Sequence, residues 1–287
     1  MNRLHALALA AALYSSLSAA QPAAVVEGVQ MPVWLEREGS APVPVAPGME
    51  LKSGDRLRTG AGSRLLVKLS EGSFVKLGEN ARLQIAELLP SKEVFKAALG
   101  VLEGAFRFTT ELVAKKRRRD ININVSQVTA GIRGTDLWGR SRADNQIVCL
   151  IEGSIEVGAP NEAPITMDKP LQFYQRTQGK TQPVAFVSKK QLDEWARETE
   201  IERGKGAARR GGQWKVVLAA PDEQGAALAA YDRARAAGYA AEIRPAKADG
   251  KLSYEVRIAQ LPSKVEAEAL AARLKAGGSA DEPRVTR

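Results

Sequence analysis

The chain has 287 residues, a formal net charge of +9, 44% hydrophobic and 26% charged residues, which gives room for about two domains and a globular rather than disordered balance. Its only histidine is His5 and its only cysteine is Cys149. That excludes an intramolecular disulfide and a Cys/His zinc site. Once residues 1–20 are removed, no histidine remains for Ser-His-Asp or Cys-His catalysis.

Residues 1–20 read as a secretory signal peptide. Arg3 gives a positive start, 6–13 is an unbroken apolar stretch, and Ser18-Ala-Ala20 offers small residues for cleavage after Ala20. The apolar stretch is too short for a span, which needs about 20 residues. No later stretch approaches that length. The mature chain is therefore expected in the periplasm, without a transmembrane segment.

Residues 25–187 read as a mainly-β domain, a sandwich or solenoid-like fold. Leu65, Val67 and Leu69 alternate with polar or outward positions. Ile121, Ile123 and Val125 alternate with Asn122, Asn124 and Ser126, and Phe106 and Phe108 flank Arg107. This is the period of half-buried strands. Glu71-Gly72, Glu103-Gly104 and Glu152-Gly153 sit between apolar runs and are each expected to form a hairpin turn, because glycine takes positive φ at low cost. Cys149, inside Ile147-Val-Cys-Leu-Ile151, reads as a core residue. Lys115-Lys-Arg-Arg-Arg119 reads as an exposed basic loop, with contact to phosphates, acidic lipid or anionic polymer as its functional alternative.

Residues 188–212 read as a charged helix and a Gly/Arg linker. Ser188 is placed to cap the helix, with Gln191 at the capping-box spacing. Leu192, Trp195, Thr199 and Glu202 follow at helical intervals. Gly204-Lys-Gly-Ala-Ala-Arg-Arg-Gly-Gly212 has the composition of a flexible linker.

Residues 213–287 alternate in type: strand 214–220, helix 222–237, strand 239–244, a turn at Asp249-Gly250, strand 252–259, helix 263–276 and a short strand 284–286. Ser263 caps the second helix with Glu266 three residues on. The order βαββαβ predicts a small α+β, ferredoxin-like domain with both helices on one sheet face. Tyr254, Val256 and Ile258 then face the helices. Lys215, Val217, Glu255 and Arg257 fall on the open face and form the candidate binding residues. The plainer alternative is a solvated face on which Glu255 and Arg257 pair with neighbours. RNA-binding modules share this order but stack bases on sheet aromatics. The open positions of the first and third strands offer none, so no nucleic-acid partner is expected.

Two resemblances add to this reading. Leu51-Lys-Ser-Gly-Asp-Arg-Leu-Arg-Thr-Gly-Ala-Gly-Ser63, Glu71-Gly-Ser-Phe-Val-Lys-Leu77, Ala130-Gly-Ile-Arg-Gly-Thr-Asp136 and Val148-Cys-Leu-Ile-Glu-Gly-Ser-Ile-Glu-Val157 resemble, in order, four motifs of the FecR domain family over about residues 48–158. That resemblance implies an extracytoplasmic β-domain that receives or relays a signal. Within it, Arg133-Gly-Thr135 reads as structural rather than ligand-binding. Trp214-Lys-Val-Val-Leu-Ala-Ala220, Gly238-Tyr-Ala240 and Tyr254-Glu-Val-Arg-Ile-Ala-Gln-Leu-Pro-Ser263 resemble the SPOR family. That resemblance implies binding to peptidoglycan glycan strands through the sheet, including at the division site. Val217, Ala219 and Ala259 depart from the family's usual polar or glycine residues. The expectation is a non-enzymatic cell-envelope binding protein with no cofactor or metal. Its SPOR-like part would hold glycan strands, and its β-domain would bind an unknown ligand or another envelope protein. The alternative is a periplasmic sensor or signalling component for which the wall domain is only an anchor. A glycan hydrolase would need two acids gathered across a cleft, and no motif gathers them.

Overall fold

A computed structural model describes residues 22–91, 93–110, 118–132, 134–248 and 251–287. The expected signal peptide, residues 115–117 of the basic run, Arg133 and the Asp249-Gly250 turn lie outside these. The N-terminal strands are β1 (Ala24–Gln30), β2 (Val33–Glu36), β3 (Val43–Pro44), β4 (Glu50–Leu51), β5 (Arg56–Thr59), β6 (Arg64–Leu69), β7 (Phe74–Leu77), β8 (Arg82–Pro90) and β9 (Val94–Thr109). They continue as β10 (Arg118–Val125), β11 (Val128–Ile132), β12 (Asp136–Arg142), β13 (Asn145–Glu152), β14 (Ile155–Gly158), β15 (Ile165–Met167), β16 (Gln172–Thr177), β17 (Lys180–Thr181) and β18 (Ala185–Phe186). Helix α1 (Lys189–Arg197) and strand β19 (Ala208–Arg209) follow.

These strands build two sheets over one core. The first runs β1-β6-β7-β9-β12-β13-β16. The second runs β3-β2-β5-β8-β9-β10-β11-β14-β15. Among the described residues only the β9–β10 pair is parallel. Strand β9 belongs to both sheets: Val94 to Val101 lies between β8 and β10, and Gly104 to Thr109 lies between β7 and β12. The alternating apolar positions point inward as the period demands. Leu65, Val67, Leu69, Phe106 and Phe108 come from one sheet and Ile121, Ile123 and Val125 from the other, and all are buried in one cluster.

One of the three Glu-Gly dipeptides forms the expected hairpin. Glu71-Gly72 turns β6 into β7, with the Gly72 N–H donating to the Leu69 carbonyl. Glu103-Gly104 lies inside β9, where the strand leaves one sheet for the other. Gly104 has φ +85°, and a Cβ there would stand 2.5 Å from the Ala81 Cα. Glu152-Gly153 is likewise a corner, passing from β13 in the first sheet to β14 in the second. A Cβ on Gly153 would meet the Gly134 carbonyl at 2.7 Å.

Helix α1 covers the outward face of the first sheet. Ser188 caps it, its hydroxyl accepting from the Gln191 N–H at 3.1 Å. The helix ends at Arg197, short of the expected charged run, so Thr199 and Glu202 lie beyond it. Leu192 packs on Ala105, Trp138, Ile147 and Cys149. The Trp195 ring stacks on Trp138 at 4.8 Å between centroids. This explains the apolar run 147–151: β13 is covered on both faces, by the core and by α1.

The C-terminal part is β20 (Trp214–Ala219), α2 (Gln224–Ala236), β21 (Glu242–Ala248), β22 (Lys251–Leu261), α3 (Lys264–Ala276) and β23 (Arg284–Thr286). A separate antiparallel sheet runs β21-β22-β20-β23. Ala227, Ala230 and Ala234 of α2 and Ala267, Leu270 and Leu274 of α3 cluster with Val216, Leu218, Val256 and Ile258 of the sheet. Strand β21 starts three residues later than expected, because Gly238 and Tyr239 close α2, the Tyr239 N–H donating to the Ala234 carbonyl.

The segment read as a flexible linker is packed between the two parts. Ala208 and Arg209 pair with Val29 and Gly28 of β1. The buried Glu266 carboxylate accepts from the N–H groups of Gly204, Gly206 and Ala207 at 2.6, 2.7 and 3.0 Å. Gly206 has φ +79°, and a Cβ there would lie 2.8 Å from the Leu270 N. Arg273 of α3 donates to the Met31 carbonyl at 2.6 Å. A Cβ on Gly238 would strike the Trp34 ring at 2.4 Å.

Candidate functional site

The open face of the C-terminal sheet carries a connected row of charge. Register places Glu242, Arg257, Val217 and Arg284 opposite one another across β21, β22, β20 and β23. The Arg257 Nε donates to Glu242 Oε1 at 2.8 Å, and its Nη1 donates to Glu255 Oε1 at 3.0 Å. Lys215 Nζ stands 3.6 Å from the same Glu255 oxygen. Arg244 Nη2 donates to Glu242 Oε2 at 3.0 Å. The charges therefore alternate along a chain: Lys215, Glu255, Arg257, Glu242, Arg244.

Three of the four expected residues, Lys215, Glu255 and Arg257, meet in this chain. The fourth, Val217, shares their face but is only 3% exposed. It lies between Arg257 and Arg284 across the sheet and takes no part in the ion pairs of the row. Glu242 and Arg244 were missed. Their signal was alternation in the second strand. Matching them to Arg257 and Glu255, however, requires the β21–β22 register, which no local pattern fixes.

Electrostatics favour the charged forms of Glu242 and Arg257. Burial pushes the Glu242 carboxyl up, but the hydrogen bonds and charges of Arg257 and Arg244 outweigh it and hold the group below its ordinary value. Burial lowers the Arg257 guanidinium, and the two carboxylates more than reverse this. A glycosidase needs one carboxyl kept protonated as a general acid, and Glu242 is driven the opposite way. Carboxylates that accept and guanidiniums that donate in a fixed fork suit hydroxyl-rich ligands. Among the described residues no group of three or more His, Cys, Asp or Glu side chains could hold a metal ion.

The other motifs are built into the β-domain. Arg119 lies in β10, not in a loop, and its Nε donates to Glu71 at 2.7 Å. The Glu71 side chain is fully buried. Thr135 is buried, and its carbonyl accepts from the Thr110 N–H. Arg107 of β9 is held by Asp136 at 2.7 Å and by Glu200 at 3.2 Å.

The described residues thus form a mainly-β part of shared strands followed by a small α/β part. Family models agree: residues 55–156 match the FecR protein family, and residues 210–282 match the SPOR domain. The chain thus carries a FecR region followed by a SPOR domain. Both are binding or signalling families, and neither match indicates an enzyme family. A comparison with curated proteins finds no match. Two crystal structures of a candidate anti-sigma factor from Parabacteroides distasonis each align with 69% of this chain and 96% of their own. They do so at 12% and 11% identity, each with a TM-score of 0.41. No helix among the described residues is long and apolar enough to cross a membrane.

Proposed function

We propose that this chain is an exported cell-envelope protein that holds peptidoglycan glycan strands on the open face of its SPOR domain. The FecR region would bind a second ligand or an envelope protein. The observation that carries the reading is the SPOR match over a sheet whose uncovered face bears the Lys215, Glu255, Arg257, Glu242 row. The strand order β21-β22-β20-β23 around two helices agrees with a ferredoxin-like domain. Export rests on the 1–20 pattern, and native protein should begin at Gln21 by N-terminal sequencing. We divide the chain at 25–187, 188–212 and 213–287.

The test is co-sedimentation of the full chain with purified sacculi enriched in stripped glycan. Arg257→Ala removes a donor fork from the row and leaves every buried apolar side chain unchanged. It should weaken sedimentation by roughly 1–3 kcal/mol, the scale of hydrogen bonds to a charged group. The melting temperature should change little, because the ion pairs are partly exposed. A folded wild-type chain that stays in the supernatant would refute the reading. The full chain is the right reagent, since cutting at 213 would strip the contacts to Met31 and Trp34.

A signalling role is the second reading, favoured by the FecR match over 55–156. It predicts a protein captured through the β-domain, with wall binding serving only to anchor the chain.

A further inference from the structure

Between the β-domain and α3 lies a cleft of about 540 Å³, within the range of small-molecule sites. Arg64 enters it from β6 and Arg273 from α3. Among the described residues neither guanidinium has a carboxylate partner. Arg64 donates to the Ser63 carbonyl, and Arg273 donates to the carbonyls of Lys205 and Met31. Of the acids lining the cleft, Glu200 is held by Lys76 and Arg107, and Glu202 lies 4.0 Å from Lys205, a third cation of the lining. The cleft therefore presents uncompensated positive charge from two different parts of the molecule. Gln30 lines it too. Its residue is 7% exposed, its amide donates to the Gly62 carbonyl, and its own side-chain oxygen has no partner.

We propose that this cleft binds a small carboxylate that also carries hydroxyl or amide N–H groups, of the size of an acidic amino sugar. The two guanidiniums take the carboxylate by charge-assisted hydrogen bonds. The Gln30 oxygen, given a small shift of its amide, takes an O–H or N–H from the same ligand. The cleft is complete only while the SPOR domain is docked on the β-domain. Ligand binding therefore stabilises the docked arrangement.

The experiment is titration calorimetry of the full chain with three probes at fixed ionic strength. N-acetylmuramic acid and galacturonic acid carry the carboxylate, and N-acetylglucosamine lacks it. Both acids should bind, and the neutral sugar should bind at least about ten-fold more weakly, the loss expected for one charge-assisted contact. Arg64→Gln, which leaves the Arg273 contacts between domains in place, should lower acid affinity by a similar factor. Arg64→Lys should restore part of it. No binding of either acid, equal binding of the neutral sugar, or unchanged affinity in folded Arg64→Gln would each overturn the proposal.

Discussion

Cys149 sits on the outward side of β13 beneath α1, and burial pushes its thiol up to about 12 from an ordinary 9.0. Because the thiolate is the reactive form, the native protein should not react with a disulfide exchange reagent at pH 8. The unfolded chain should release one equivalent. The linkage sign follows. Below pH 9 the thiol is neutral in both states and stability is unaffected. Between 9 and about 12 the unfolded chain ionises while the folded one does not, so stability falls as pH rises, by up to about 1.4 kcal/mol per pH unit. Denaturant midpoints at pH 8 and 10.5 in the wild type and in Cys149→Ala would show it, the fall being smaller in the variant by the thiol's share. Inward and outward positions such as Ile121, Asn122 and Ile123 were legible from alternation alone. The burial of Val217 was not, because its neighbours across the sheet, Arg257 and Arg284, come from strands forty or more residues away.

Strand β9 is the joint of the β-domain, and Gly104 is where it bends. An alanine there would have to hold φ +85° and place its Cβ against the Ala81 backbone at 2.5 Å. Gly104→Ala should therefore destabilise by roughly 2–5 kcal/mol, left-handed strain together with overpacking. Equilibrium urea unfolding would measure it. The neighbouring Gly100, in ordinary extended backbone and clear of close atoms, should tolerate the same change with a far smaller effect. The three Glu-Gly dipeptides show where local reading stops. Their local chemistry is the same, and glycine permits the chain to turn at each. Whether the next stretch pairs back or crosses to the opposite sheet is decided by partners distant in sequence, β7 and β12 for the second half of β9, and β11 for β14. The short βαββαβ part was more legible, since a helix closed by Gly238, a helix capped by Ser263 and alternating strands follow one another with little nonlocal choice.

The two parts are fastened through Glu266. It stands at the capping-box position behind Ser263, yet its carboxylate turns outward to the 204–207 backbone rather than back to the cap. Glu266→Ala would leave three N–H groups without their acceptor and should cost roughly 2–4 kcal/mol. Limited proteolysis should then cleave near Gly204, whereas the wild-type chain should resist cutting there. A wild type cut there as readily as the variant would refute the fastening. Composition pointed the other way, because Gly/Arg-rich stretches are usually free; only Glu266, sixty residues on, shows why this one is held. The same segment supplies β19, which lies along β1 beside the two-residue β4. Together these two short strands occupy the side of β1 that β6 leaves open. A chain nicked at 204–212 would expose the unpaired amides of a Val-rich strand as a template for strand addition. Its first symptom should be self-association, read by light scattering, ahead of any loss of core structure.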